Sequence, residues 1–313
     1  MRLCVYAIMR DEEHNVAAWA ENTLDADDRF VLDTGSTDDT VDELFLHGIG
    51  RLDATIDPFR FDDARNAALA LAPSADLYLR LDADERLPDD WRQIIDDAYH
   101  PDIPRYRYRV RNHGGIWSQI TRDDLHVRPG FRWKYPTHEV LVGPEARRDL
   151  PNLIVEHTSP PERRSHHLNN LAVLREATHE YPGDHRMLFY CAREYWYAGQ
   201  WDNCRLYMVK FLNLPGGWDA ERCEAYRILA AIDDDPERWL WKAVGECPAR
   251  REPWVDLCRF ALSHREGERA TMLYAEAAAR PRTDLYTTDP SAWGAAFEDD
   301  LREQIIELYE GVE

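Results

Sequence analysis

Residues 76–87 read DLYLRLDADERL, and this stretch decides the fold. Leu77, Tyr78, Leu79 and Leu81 make a dense apolar run of strand length that stops on Asp82. Asp84 follows two positions on, so two carboxylates stand at a strand-to-loop turn from which they can converge on one hard divalent cation. Folding does not ask for them there, because acids crowded at a strand end repel unless a cation or a positive partner offsets the cost.

The same texture extends upstream. LCVYAIM (3–9) reads as a first strand, followed by a helix opened by Asp11 with Glu12 and Glu13 in its first turn and apolar positions at Val16, Trp19 and Leu24. FVLD ends at Asp33 and runs through TGSTDDT into a helix over 41–47; a short strand at 54–56 and a helix over 63–71 lead to the decisive strand. Short apolar runs alternating with helical periodicity are the signature of parallel βα units, and open sheets of that kind bind ligands at the carboxyl ends of their strands. From Arg105 to about Val155 the texture turns β-rich (RYRYRVR, GIWSQI, FRWKY, HEVLV, NLIVEH), which predicts the second half of the same domain.

After TSPPERR the chain reads as helices nearly throughout. Helix pairs are predicted at 184–198 with 200–213, 219–232 with 235–247, and 251–264 with 267–279, a spacing of 32–35 residues. That is close to the roughly 34-residue period of tetratricopeptide-type arrays. An amphipathic helix over 297–309 closes the series. The expected organisation is an α/β domain over 1–160 and an all-α, TPR-like helical-repeat domain over 161–313.

Composition narrows the function classes. With 44% hydrophobic and 31% charged residues in 313, the chain lies outside the disordered range. Its longest apolar stretches, such as 67–72 and 229–232, fall far short of the roughly 20 residues of a membrane helix, and the first residues do not resemble a signal peptide. A cytoplasmic protein is expected. Of 38 basic residues only Lys134, Lys210 and Lys242 are lysine, the mark of high-GC coding in a bacterium or its phage. The six cysteines (4, 191, 204, 223, 247, 258) lack metal-ligand spacing and read as small buried hydrophobes. A net charge of −21 opposes general nucleic-acid binding, yet residues 105–148 hold ten Arg or Lys against four acids, a local +6. That segment is either an anion-binding face or a set of arginines paired with acids elsewhere.

Several residues carry possible chemistry. Asp33 stands where it can accept hydrogen bonds from a nucleoside, Gly35 permits close backbone approach, and Ser36 or Thr37 can cap the next helix; a plain capped βα turn is the alternative. Arg65, beside Asn66 early in a helix, is a phosphate or base contact or the partner of a surface acid. In KYPTHEVL, Glu139 is either a catalytic carboxylate or a salt-bridge partner of a nearby arginine, and His138 either positions substrate or is structural. His157, at the end of IVEH, is a metal ligand or a hydrogen-bonded strand-end residue; His166 and His167 read as a solvated face.

The ordered set Ala7-Ile8-Met9-Arg10-Asp11-Glu12-Glu13, Asp33-Thr34-Gly35-Ser36-Thr37-Asp38, Ala64-Arg65-Asn66 and Leu81-Asp82-Ala83-Asp84-Glu85 resembles the amino-terminal half of family 2 glycosyltransferases of GT-A fold. The resemblance is to the branch with TPR repeats after the catalytic domain, and it covers about residues 3–200, with Arg10 and Asp11 replacing the branch's Lys and Asn. It implies a GT-A domain, with a mixed central sheet flanked by helices, that binds a nucleotide-sugar, most often a UDP-sugar, together with Mn²⁺ or Mg²⁺. By that resemblance Arg10, Asp33, Thr34, Gly35, Ser36, Arg65, Asp82 and Ala83 line the nucleotide-sugar, and Asp84, His157 and Asp82 face the metal. Glu139 is then the candidate base of an inverting hexosyl transfer, with His138 beside it. The acceptor is a protein or peptide held by the helical array, or a modified base in phage DNA reached through the basic segment. A homodimer stays open. The competing classes are nucleotidyl transfer, for which MRDEEHN lacks the Gly-rich basic loop, and a non-catalytic TPR scaffold with a degenerate transferase domain.

Overall fold

A computed structural model describes residues 1–112, 119–158, 167–282 and 287–310. The chain divides into two compact units, Met1–Ser165 and His166–Glu313.

The first unit is built on strands β1 (Leu3–Met9), β2 (Asp28–Asp33), β3 (Gly50–Asp53), β4 (Leu77–Arg80), β5 (Glu85–Arg86), β6 (Arg105–Asn112), β7 (Gln119–His126), β8 (Arg132–Lys134), β9 (Val140–Val142) and β10 (Arg147–His157). Its helices are α1 (Glu13–Asn22), α2 (Thr40–Leu46), α3 (Phe61–Leu71) and α4 (Trp91–Ala98). Eight strands form one sheet in the order β3-β2-β1-β4-β7-β6-β10-β5, and β8 and β9 make a separate hairpin. β1, β2, β3 and β4 run parallel, β7 is antiparallel to β4 and β6, β10 is parallel to β6, and β5 is antiparallel to β10. The sheet is therefore mixed, as the GT-A reading expects.

Alternation along β1 divides the core. Val5 and Ala7 pack with Val16, Trp19 and Leu44, from α1 and α2, on one face. Cys4 and Tyr6 pack with Ala68 and Leu69, from α3, on the other. Both faces are covered, which is why these strands are apolar runs rather than alternating ones. β3 occupies 50–53 instead of the expected 54–56. It is the sheet edge, exposed at Gly50, Leu52 and Asp53, so no apolar pattern marks it. Pairing ends where β2 ends, with Asp33 opposite Asp53 and the Ala54 N–H donating to the Asp33 carbonyl. α1 begins at Glu13 rather than at Asp11, because Asp11 takes a left-handed backbone (φ 54°) and turns toward the next loop. The start of the predicted strand GIWSQI lies outside the described residues, and its remainder opens β7, which continues to His126.

In the second unit the helices are α5 (His167–Glu180), α6 (His185–Tyr197), α7 (Trp201–Asn213), α8 (Asp219–Ala231), α9 (Pro236–Glu246), α10 (Glu252–Ser263), α11 (Gly267–Ala278) and α12 (Arg302–Glu310). α6 with α7, α8 with α9, and α10 with α11 are packed neighbours, matching the three predicted pairs. Asp184 caps α6 by accepting from the Met187 N–H, and Pro236 and Pro253 sit in first turns where no donor is lost. The array's aromatics pack on one another: Trp196 on Trp201 at 5.0 Å, Tyr226 on Trp239 at 6.0 Å and Trp241 on Trp254 at 6.1 Å. The closing helix opens as a π-helical turn at Ala296–Leu301, and His166 lies outside the described residues. All six cysteines are free thiols, and all but Cys247 are buried. Among the described residues no helix is long and apolar enough to cross a membrane.

A directed hydrogen-bond chain crosses the sheet of the first unit. The Trp133 indole N–H donates to Tyr6 Oη at 3.0 Å, and Tyr6 Oη lies 3.3 Å from His126 Nε2. His126 Nδ1 lies 2.6 Å from the Val127 carbonyl, which can only accept. The proton therefore sits on Nδ1, Nε2 accepts from Tyr6, and the ring is neutral. Burial pushes the His126 pKa down to about 4, against smaller raising effects of the Val127 carbonyl and Asp124. The unfolded ring titrates near 6.5, so its stabilising contribution is complete above that pH and is lost as pH falls toward 4, a loss of ~3 kcal/mol. Urea unfolding at pH 7 and pH 4 should show the parent losing about that much more stability than His126→Gln, and equal losses would contradict the neutral ring.

Candidate active site

β2, β1 and β4 are adjacent and parallel, so Asp33, Met9 and the Leu81-Asp82 segment emerge together at one edge of the sheet. The Met9 carbonyl accepts from the Thr34 N–H at 2.9 Å, tying the first two loops at their roots. Asp33 Oδ2 accepts from the Gly35 and Ser36 N–H groups at 2.9 and 3.0 Å, and Oδ1 accepts from Ser36 Oγ at 2.5 Å. Gly35 adopts φ 101°, a conformation that strains other residues, and no atom lies within 4 Å of where its Cβ would stand. Asp11 reaches across to accept from the Thr37 N–H at 2.7 Å, while its own N–H donates to Ser36 Oγ at 3.0 Å. The two loops are thus laced into one shelf, with Arg10 exposed on its rim.

A charge cluster follows the shelf in sequence, with Arg65, Arg80, Glu85 and Asp124 buried and Asp82 partly exposed. Arg65, on α3, donates to both oxygens of Asp82 (3.0 and 3.5 Å) and through Nε to Glu139 Oε1 at 2.5 Å. Arg80 bonds Asp82 as well, and donates through Nε to Asp124 at 3.0 Å. Glu85, fully buried, accepts from Arg122 and from the Asp82 N–H at 3.0 Å. Trp133 lies beneath both guanidinium groups, 5.3 Å from Arg65 and 5.8 Å from Arg80. Burial alone would raise the Asp82 pKa; Arg65 and Arg80 reverse that and hold the carboxyl far below the usual carboxylate range. Burial likewise lowers the Arg65 and Arg80 pKa values, but their carboxylate partners more than restore them, Asp82 foremost in each case. Asp82, Arg65 and Arg80 thus hold one another in their charged forms.

Asp84 is set apart from that cluster. β5 pairs with β10 through Glu85 opposite His157, and this register brings His157 Nε2 to 3.2 Å from Asp84 Oδ2. The Asp84 carbonyl is fixed by the Thr158 N–H and hydroxyl, each at 2.8 Å. A carboxylate oxygen and an imidazole nitrogen at that separation suit neighbouring positions around one octahedral divalent ion, whose bond lengths near 2.1 Å put adjacent ligands ~3 Å apart. The described residues contain no group of three or more His, Cys, Asp or Glu that could hold a metal. The pair fits a cation that takes its remaining ligands from phosphate oxygens and water. Both Asp82 oxygens are engaged by guanidinium groups, which ties this carboxylate to the arginines.

The sequence-predicted residues thus gather in three groups. Asp33, Thr34, Gly35 and Ser36 form the shelf; Arg65, Asp82 and Glu139 form the charge cluster; Ala83, buried, links the cluster to the Asp84–His157 pair. His138 adopts a left-handed backbone (φ 52°) in the turn preceding β9. Sequence reasoning missed Arg80, Glu85, Arg122, Asp124 and Trp133. Arg80 gave a signal, being a lone charge inside an apolar strand, but its partner Asp124 is 44 positions away.

Among the described residues, eight of the segment's ten arginines and lysines make internal contacts with acids or backbone carbonyls. Asp123 pairs with Arg105, Arg107 and Arg147, Glu156 with Arg111, and Glu85 with Arg122. Arg109, Arg128 and Arg148 donate to the backbone carbonyls of Pro151, Ala72 and Ala98. Of the acids paired here only Glu85 and Glu156 lie outside 105–148, and none of these contacts supports a modified-DNA acceptor.

No family model matches the sequence, and comparison with curated proteins finds no match. Solved structures resemble parts of the chain. Glucosyl-3-phosphoglycerate synthase from Mycobacterium tuberculosis, in complex with Mn²⁺, UDP and glucosyl-3-phosphoglycerate, is 15% identical over 55% of this chain and 77% of its own, with a TM-score of 0.38. The same enzyme with Mg²⁺ and UDP gives 14% identity over the same shares and a TM-score of 0.39. MamA protein is 16% identical over 48% of this chain and 82% of its own, with a TM-score of 0.34. At these values the likeness assigns no chemistry.

Removing one partner from a buried ion cluster strands the others. Arg80→Met should therefore destabilise the first unit by ~3–5 kcal/mol in urea unfolding, and a loss under ~1 kcal/mol would show that solvent screens the cluster as it does surface pairs.

Proposed function

We propose that the chain is a metal-dependent glycosyltransferase that moves a hexose from a nucleotide-sugar, UDP-linked, to a protein or peptide acceptor with inversion. The observation that carries the reading is that a laced shelf (Asp33 to Ser36) and the Asp84–His157 pair, whose own atoms are 3.2 Å apart, both follow the carboxyl ends of parallel strands, β2 and β4. Open α/β sheets bind nucleotides at that edge. The sequence resemblance to family 2 glycosyltransferases agrees with it, and the helical unit offers a cavity of about 650 Å³ lined by Arg193, Trp196, Tyr197, Asp256 and Arg259, suited to part of a peptide.

Asp84 and His157 would hold Mn²⁺ or Mg²⁺, which when bound neutralises the charge developing on the leaving nucleoside diphosphate. The chain's own groups do the rest. The shelf, through Gly35 and its neighbours, lets the nucleoside approach the backbone, and Arg10 stands on its rim. Arg65 fixes Glu139 through Oε1, leaving the carboxylate's second oxygen to take the proton of the acceptor nucleophile. As that proton leaves, the acceptor atom bonds to the anomeric carbon, and the bond from that carbon to the diphosphate oxygen breaks with its electron pair on the diphosphate.

Thermal shift with UDP, GDP, CMP and dTDP, each with Mn²⁺ or chelator, tests the donor site. UDP with Mn²⁺ should stabilise the protein by ~2.7 kcal/mol at a hundredfold excess over Kd, and Asp84→Ala should erase the metal-dependent part. No shift with any nucleotide would leave a non-catalytic scaffold as the reading. Glu139→Gln should keep donor binding and lower turnover by about 10²-fold or more; unchanged turnover would place the base elsewhere.

A further inference from the structure

We infer that Asn66 is a positioning residue, clamping the β8–β9 hairpin so that Glu139 is held at the reacting centre; the catalytic half of this inference rests on the transferase reading above. The hairpin is poorly equipped to hold itself. It has three paired positions, Arg132–Val142, Trp133–Leu141 and Lys134–Val140, and belongs to no larger sheet. An isolated pair of strands is marginal in water even when longer. Its connecting turn adds strain, because Tyr135 (φ 85°) and His138 (φ 52°) both adopt the left-handed region without being glycine. Such a turn persists only where its surroundings fix it.

α3 supplies the fixation at three points. Asn66 Nδ2 donates to the Trp133 carbonyl at 2.9 Å, and the Trp133 N–H donates to Asn66 Oδ1 at 2.8 Å. The side-chain amide thus mimics a paired strand residue, and both directions are required because the backbone N–H can only donate and the carbonyl only accept. One turn earlier the Phe61 N–H donates to the Pro136 carbonyl at 2.9 Å, which secures the turn itself. Arg65, adjacent to Asn66, completes the grip on the Glu139 carboxylate at 2.5 Å. Neighbouring residues of one helix therefore hold the hairpin's backbone and the carboxylate it carries. The amide leaves the Arg65 ion pairs untouched, so its loss should displace Glu139 without disturbing the nucleotide shelf.

Asn66→Ala removes both bonds, and Asn66→Asp keeps the acceptor while setting a carboxylate against the Trp133 carbonyl. Hydrogen exchange on the full chain reads the clamp directly. Exchange of amides over 131–142 should rise at least about tenfold in Asn66→Ala, with β1 and β4 unchanged. In the same variant, UDP affinity with Mn²⁺ and donor KM should stay within about twofold of the parent while kcat falls by about 10- to 100-fold, the size of effect a displaced catalytic group produces. Asn66→Asp should show the same split, and it carries the test if the alanine variant does not fold. Unchanged exchange over 131–142 would overturn the clamp; loosened exchange with unchanged kcat would overturn the positioning role, as would parallel losses in kcat and donor affinity. If the parent itself binds no nucleotide, the transferase reading fails, and the exchange measurement still decides the clamp.

Discussion

One carboxylate shared by two guanidinium groups organises the first unit. Asp82 receives Arg65 from α3 and Arg80 from its own strand, and through them it reaches Glu139 and Asp124. A charge in that setting is tolerable only when partnered, since the penalty for leaving one ion alone in the interior is several kcal/mol. The cluster therefore constrains everything that contributes to it. α3 must lie where Arg65 reaches the end of β4, β7 must present Asp124 opposite Arg80, and the β8–β9 hairpin must deliver Glu139. Trp133, beneath both guanidinium groups, joins this ionic layer to the neutral chain through Tyr6 and His126. The parallel and antiparallel halves of the sheet are coupled through these side chains as well as through the β4–β7 ladder.

How much of this was legible in the sequence follows from the range of each interaction. The parallel half is legible because strands buried on both faces must be apolar throughout and must stop where the chain turns, and LCVYAIM and DLYLRLD do both. The helix pairs are legible for the same local reason. The edge strand β3 is not, because one exposed edge position after another leaves no pattern, and the apolar residues that follow at 54–56 attract the assignment instead. β5 is two residues long and exists only through its pairing with β10.

In the site, local chemistry and distant partners separate in the same way. Asp33, Gly35 and Ser36 form a turn closed within four residues, so their sequence nearly states their structure. Asp84 with His157 and Arg65 with Glu139 are 73 and 74 positions apart, and both alternatives for Glu139, salt-bridge partner and catalytic carboxylate, are compatible with a single residue in a single place. The charge tally over 105–148 could not choose between its two readings. It counts arginines along the chain, whereas their partners are set by strand pairing: Asp123 on β7 meets Arg105 and Arg107 from β6 and Arg147 from β10.

The same ion count explains why such a site would depend on a metal. The cluster holds three guanidinium groups, those of Arg65, Arg80 and Arg122, against four carboxylates, those of Asp82, Glu85, Asp124 and Glu139. Each arginine already answers at least one acid, so the cluster has no surplus positive charge with which to receive a nucleoside diphosphate. An arginine withdrawn toward phosphate would leave a buried carboxylate behind, at a cost comparable to what the phosphate contact returns. Added positive charge has to enter with the ligand. Asp84 and His157 stand outside the arginine cluster and bring together the oxygen and nitrogen donors a divalent ion takes. On the proposed reading, the arginines fix the geometry of Asp82 and Glu139, and the charge of the donor is met by the ion that Asp84 and His157 hold.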